Sequence, residues 1–248
     1  MSKAFDLAGM AVLSALAPGD NGLIKQLSGR ATFVSSSDET KICVDSGDSL
    51  LLGVTSGGHQ RISLTIGDGA TVVMISSGFK SGVQRFVISM GCGSVFKIWE
   101  ARQLDSGCKF SEDFHFSKVL DNCKIDLNTA VVTRGGAVFL QQFNGKIGHD
   151  SKGTHIRQKT KVLKSGGNAK VMIEPNISVE TPEAVASHGA AHGCVPEDKI
   201  HAMMARGFEK NAAESIFLSS FLKEIVLDSG VSFNNWESVG ASVYVDEL

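Results

Sequence analysis

The chain has 248 residues, a formal net charge of −2, 27 glycines, only 4 prolines and 7% aromatic side chains. This balance gives no electrostatic basis for binding nucleic acid or an anionic membrane surface, and there is no run of 18 apolar residues to span a bilayer. Five cysteines (Cys43, Cys92, Cys108, Cys123 and Cys194), odd in number, widely spaced and without a Cys-x-x-Cys pair, point to a reducing, cytoplasmic compartment. They argue against both a disulfide framework and a structural zinc site.

Residues 1–30 begin "MSKAFDLAGMAVLSALAPGD". A secretory signal fits poorly, because Asp6 interrupts the apolar stretch and only one basic residue precedes it. Phe5, Leu7, Leu13 and Leu16 can share one face, which predicts a short N-terminal amphipathic helix. The final "VDEL" resembles an ER-retention tail, an address without meaning when no entry signal accompanies it.

Residues 31–186 follow a β grammar. Apolar, β-branched runs are broken by glycine, serine and aspartate, as in "RISLTIGDGATVVMI", "QRFVISMGCGSVFKIW" and "TAVVTRGGAVFLQQF". Each reads as strand, glycine-centred corner, strand. The corners fall at Gly47, Gly67–Gly69, Gly91–Gly93, Gly135–Gly136 and Gly166–Gly167, in steps of about 20, 24, 44 and 30 residues. Counting the 44 as two steps, the period is ~20–25 residues, which fits the stacked coils of a β-solenoid. A β-sandwich with tight hairpins is the competing reading, but "NG" occurs only at Asn144–Gly145. Parallel strands buried on both faces read as continuous apolar runs, as these do.

From 187 to 248 the pattern changes. "SHGAAHGC" reads as a small-residue turn closing the β body. Pro196, Glu197 and Asp198 make a good first helical turn, Ile200, Met203 and Met204 share a face, and Gly207 is a stop. A second helix is expected at 212–226, with Ala213, Ile216, Phe217, Phe221, Ile225 and Val226 forming an apolar stripe. Helices this short and apolar need a surface, on the β body, on a partner, or on both.

The chemistry is sparse. No GxxxxGK[ST] phosphate loop is present, so the chain should not hydrolyse ATP itself. "GCGSVF" lacks the third glycine of a dinucleotide fingerprint, and "IGDGATV" imitates only one coil of a hexapeptide-repeat acyltransferase. A secreted β-solenoid lyase would want an export signal and clustered charges on one face. What remains is His188, His192, Cys194 and His201 within 14 residues. Imidazole and thiolate suit iron and zinc, and a thiolate also carries sulfur. Ordinary packing, with a histidine hydrogen-bonded to backbone carbonyls, accounts for the same residues.

"SHGAAHGCVPEDKIHAMMARGF" resembles the carboxy-terminal signature of the SufB/SufD family, scaffold subunits of iron–sulfur cluster assembly. Ser187, His188, Gly189, Ala190, Gly193, Arg206 and Gly207 match that signature in register, and "VMIEPNISVETPEAVA" is similar to the strand that precedes it. The likeness is specific over about 171–226 and architectural over 31–170. Ala191 replaces the usual threonine, and Pro196 stands where an aspartate cap is frequent. SufB-type chains carry a cysteine on a strand upstream of the motif and a glutamate just after its histidine. Here "RQKTKV" (157–162) has no cysteine and Gly189 takes the glutamate position, so the chain is SufD-like.

The resemblance implies a mainly β fold: a right-handed parallel β-helix with a short N-terminal helix (1–30), a core at 31–186 and a C-terminal helical domain at 187–248. It implies a scaffold rather than an enzyme, on which an iron–sulfur cluster is transiently assembled. It places the family's interface histidine at His188, as a metal ligand. The implied partners are a sulfur donor, a SufC-like ABC ATPase, and a second copy or a SufB-like subunit joined near the end of the solenoid. The ATPase would bind the helices through Met203, Arg206, Phe217 and Phe221. Cys194, the nearest thiol to His188 in sequence, is a candidate ligand or sulfur carrier on position alone. A structural adaptor without cluster chemistry, or a β-solenoid acyltransferase or lyase, is the alternative.

Overall fold

The computed structural model describes residues 23–24, 29–33, 39–55, 58–78, 80–231 and 236. Fourteen strands precede two helices among them. β1 (Leu23–Ile24), β3 (Glu39–Val44), β5 (Gly58–Ile66), β7 (Gly82–Met90), β9 (Lys109–Val119), β11 (Val138–Ile147) and β13 (Lys170–Val179) stack in that order into one sheet. β2 (Gly29–Phe33), β4 (Ser49–Thr55), β6 (Thr71–Gly78), β8 (Val95–Leu104), β10 (Lys124–Arg134), β12 (His155–Ser165) and β14 (Val185–Cys194) form the other. All of the described strand pairings are parallel. Each coil gives one strand to each sheet. This is the expected β-helix, and the sandwich reading falls.

The strand period of two decides what fills it. Inward positions of neighbouring coils lie in register, so like stacks on like: Phe86 on Phe114 with ring centroids 4.8 Å apart, with Phe143 in register on Phe114 and its ring 4.9 Å from the diagonal Phe116. The corners between odd and even strands form a second ladder. Gly47, Gly69, Gly93 and Asn122, with φ of 78°, 64°, 67° and 58°, donate their N–H groups to Asp68, Cys92, Asp121 and Lys152 carbonyls at 2.7–2.8 Å. A left-handed backbone at every step explains the glycines, with asparagine the next most tolerant residue.

The coil is not constant. Stacked residues are 22 apart at Ser46 and Asp68 but 32 apart at Gln142 and Glu174. Strands lengthen from 6 residues in β3 to 11 in β9, β10 and β12. The ~20–25-residue period therefore holds only for the early coils. The 44-residue interval from Gly91 to Gly135 is one and a half coils, running from one edge to the opposite one. Corners at Gly107, Asn122 and Gly153 escaped the sequence pattern: Gly107 and Gly153 are single glycines off the assumed period, and Asn122 stands in place of glycine.

Two expected boundaries move. β1 and β2 place strands before residue 31, and the helix expected near the amino terminus lies outside the described residues. At the other end "SHGAAHGC" is not a turn: β14 continues the sheet to Cys194, past the expected boundary at 186. The helices are α1 (Glu197–Met204), followed by the left-handed Gly207 (φ 98°), and α2 (Lys210–Asp228). α2 lies on the outer face of the even-strand sheet. Its Leu218, Leu222, Ile225 and Val226 bury against Val73, Ile75, Ala101, Ala130, Val132 and Leu163. Those strands are apolar on both faces for this reason. Lys161–Glu224 (2.7 Å) and a Ser165–Glu214 hydrogen bond tie α2 to β12. No helix among the described residues is long and apolar enough to cross a membrane.

Candidate functional site at the open end of the solenoid

β14 is the last rung of its sheet. It pairs with β12 on one side, and all ten of its residues are exposed. Its register sets His188 on Gln158, Ala190 on Thr160, His192 on Val162 and Cys194 on Lys164. Gln158, Thr160 and Val162 are buried inward, and partners in a parallel ladder project to the same face. His188 and His192 thus stand on the inner face of the final rung, at the mouth of the solenoid. Ser187, Gly189, Ala191 and Gly193 face outward, which explains the alternation of small residues with histidines. Met172, Val179 and Val185 are 54%, 41% and 55% exposed around the same mouth, so no other described residue covers the terminal coil.

The strand separates residues that the sequence had placed together. The six residue steps from His188 to Cys194 span about 20 Å along the strand, and the four steps to His192 about 13 Å. These three cannot share one ion within one chain. No group of three histidine, cysteine, aspartate or glutamate side chains suited to a metal occurs among the described residues. Cys194 and His201 line a separate cleft of about 470 Å³ with Lys164, Glu197, Lys210 and Glu214, between β12, β14 and the helices. Cys123 is fully buried, its thiol donating to the Gly91 carbonyl at 3.1 Å, and burial raises its pKa. Cys92 is the other exposed cysteine besides Cys194.

The proposed partner contacts divide similarly. Phe217 and Phe221 are half-buried and pack in the core beneath α2. Met203 is half-buried, whereas Arg206 is exposed, as are Met204 (40%) and Phe208 (44%) beside it. The exposed apolar surface of the hairpin therefore centres on the α1–α2 connection, where Phe208 had drawn no notice in the sequence.

The interior holds a feature the sequence reading missed. Glu100, Arg102 and Glu112 are completely buried mid-solenoid. Arg102 is paired with Glu100, lies 3.8 Å from Glu112, and stacks its guanidinium 3.6 Å from the Phe110 ring centre. Burial, and then the neighbouring Glu100 charge, push the Glu112 carboxyl well above its usual range against the pull of Arg102. A buried carboxyl so placed holds its proton. The signal was present: apolar residues at 96, 98 and 104 put Glu100 and Arg102 on the inward face by period alone.

From this cluster a polar seam runs to the mouth. Gln141 donates to Glu112 Oε1 (2.7 Å) and to Thr129 (3.1 Å). Its own carbonyl accepts from Thr160 (2.6 Å) and Gln158 (3.2 Å).

Comparison with known proteins agrees with this architecture. The family described as "SUF system FeS cluster assembly, SufBD core domain" matches residues 55–221. The chain belongs to that family. Among curated proteins it is 26% identical over 117 residues to "Protein ABCI7, chloroplastic" of Arabidopsis thaliana, covering 46% of this chain and 25% of that protein. It is 28% identical over 82 residues to "Iron-sulfur cluster assembly protein SufD" of Bacillus subtilis (strain 168), covering 33% of this chain and 19% of the relative. The matched region thus spans a quarter or less of either relative's length. The family match runs from the end of β4 through Phe221 of α2, taking in most of the solenoid and the outer-face helix as one unit.

Proposed function

We propose that this SufBD-family chain is a scaffold subunit of a SUF-type complex, on which an iron–sulfur cluster is assembled as cargo. His188 supplies one ligand from the mouth of the solenoid. The observation that carries this reading is the last rung itself: an uncapped, fully exposed strand with a histidine on its inner face. Among the described residues no three-ligand set occurs, so in this reading the remaining ligands come from a second SufBD-type subunit, identical or SufB-like. Pairing open sheet ends across such an interface satisfies the unpaired backbone groups of β13 and β14. A SufC-like ABC ATPase docks on the α1–α2 connection through Met203, Met204, Arg206 and Phe208, while Phe217 and Phe221 hold α2 on the β body. The chain itself carries no catalytic residue in this reading, and a persulfide-bearing donor brings the sulfur.

His188→Ala, co-produced with the ATPase and a SufB-like subunit, tests the ligand role. An exposed strand position predicts a stability change within about 0.5 kcal/mol, intact ATPase binding, and loss of most iron and acid-labile sulfide after anaerobic reconstitution. Full retention of both would remove His188 from the site. Phe208→Asp is expected to abolish co-elution of the ATPase while leaving the melting temperature unchanged. Undiminished co-elution would place that contact elsewhere. The adaptor reading, docking without cluster chemistry, gains from the lack of a three-ligand set among the described residues. It predicts ATPase binding with no reconstituted cluster in the wild-type complex.

A further inference from the structure

We infer that Gln158 is the positioning residue for His188, and that the buried chain Glu112–Gln141–Gln158 fixes which ring nitrogen of His188 carries its proton. This rests on the ligand role proposed for His188. Each link has a donor end and an acceptor end, and the order is set from inside. Glu112 Oε1 accepts from the Gln141 amide nitrogen. Glu112 Oε2, 3.8 Å from Arg102 Nη2, has no hydrogen-bond partner, so Oε1 is the end through which this carboxyl joins the chain.

The Gln141 carbonyl therefore points towards the mouth, where the Thr160 hydroxyl and the Gln158 amide nitrogen donate to it. Gln158 has then spent its donor end on Gln141. Its carbonyl Oε1 is left buried without a hydrogen-bond partner, in a residue 3% exposed.

The next residue on that side of the rung is His188, in direct register on β14. On the other side is Leu127, which offers no donor. Side chains on the same face of adjacent strands lie about 5 Å apart at Cβ, within reach of an imidazole N–H. An N–H of His188 donated to Gln158 Oε1 satisfies the orphaned acceptor. It also commits the other ring nitrogen, as a lone pair, to the open side of the mouth. Metal-bound histidines commonly have their second nitrogen held in this way.

The test reads the tautomer directly. Long-range ¹H–¹⁵N correlation spectra of the apo chain, recorded above about pH 8 where an ordinary imidazole is neutral, are assigned through the signals lost in His188→Ala. Wild type is expected to show one dominant His188 tautomer. Gln158→Leu should give a mixture, and so should Gln141→Leu, which frees the Gln158 amide to turn over. Thr160→Val, which removes a donor without reversing the chain, should leave the tautomer unchanged.

In the reconstituted complex, Gln158→Leu is expected to retain iron about tenfold less well than wild type, the scale seen for lost outer-shell partners. An unchanged tautomer in folded Gln158→Leu overturns the inference, even where His188→Ala loses its iron. A shifted tautomer with iron retained in His188→Ala keeps the relay and removes the ligand. Should Gln158→Leu fail to fold, Gln141→Leu against Thr160→Val decides.

Discussion

The early coils and the late coils of this solenoid solve the same packing problem differently. Around β3 and β4 the coil is short, and the inward residues Ile42, Val44, Leu50, Leu52 and Val54 meet Leu64 and Ile66 of β5 across the axis in an apolar core. The first inward polar side chains are Gln60, Ser76 and Gln84 of β5 to β7. From β8 onward the strands are longer and the interior divides. One apolar cluster continues along the corner edge, through Phe96, Phe114, Ile125 and Phe143. A second forms at the opposite edge, from Leu104, Phe110, Val131, Phe139 and Val162. Glu100, Arg102, Glu112, Thr129, Gln141, Gln158 and Thr160 occupy the space between. The difference teaches that added strand length was used here for polar positions. The seam it creates leads to the mouth where His188 stands.

The most severe way to break the comparison is to remove Arg102. Arg102→Met leaves Glu100 buried without its counter-charge, beside the Glu112 carboxyl. Orphaning one side of a buried ion pair typically costs about 3–5 kcal/mol, readable as a fall in the urea midpoint with an unchanged slope. Replacing all three, as Glu100→Leu, Arg102→Met and Glu112→Leu, converts the wide coil to the narrow coil's chemistry. That variant is expected to match or exceed wild-type stability, by up to about 4 kcal/mol. A triple variant as unstable as Arg102→Met would show that the seam holds the wide coil together, rather than serving the mouth.

A smaller effect follows from Glu112. Burial and the neighbouring Glu100 charge raise its folded pKa well above the usual carboxylate range, so the native state binds this proton more tightly than the unfolded chain. The associated stability is fully present below the unfolded pKa, and it falls as pH rises towards and through the raised folded value. Glu112→Gln removes this titration, so its stability should decline less than wild type over that window. Parallel pH curves for the two proteins would mean that Glu112 is charged in the fold.

The sequence made the solenoid legible because a glycine pair at a corner and β-branched runs on either side are local signals. Its widening was not legible. Gly107 and Gly153 are lone corner glycines and Asn122 replaces glycine altogether, and a fixed period hides coils that grow. The site was half legible. "SHGAAHGC" contains the residues, but its glycines and alanines suggested a turn, whereas an edge strand with one packed neighbour and no covering layer tolerates small residues throughout. Gln158 sits in a run read only for a missing cysteine. Its role depends on Gln141, 17 residues away across the solenoid's interior, and on His188 one rung above. Neither relation is visible until the coil length is known.

The smallest expected effect tests the corner ladder, where the early and late coils also part company. Early corners use glycine at the left-handed position, but the β9–β10 corner uses Asn122 at φ 58°, the one non-glycine residue with positive φ among those described. Its N–H continues the ladder to the Lys152 carbonyl at 2.7 Å. Gly153, in the next corner, has no room for a side chain on the Asn122 side: a Cβ there would come within 2.4 Å of Asn122 Oδ1. The left-handed conformation costs an ordinary residue about 1–2 kcal/mol, and asparagine less. Asn122→Ala should therefore destabilise by about 1 kcal/mol, and Asn122→Gly, which restores the early-coil solution, by well under that. If alanine and glycine are equally tolerated, the late corner has relaxed out of the left-handed region, and the ladder that aligns β10 with β12 beneath Gln158 is looser than its hydrogen bonds indicate.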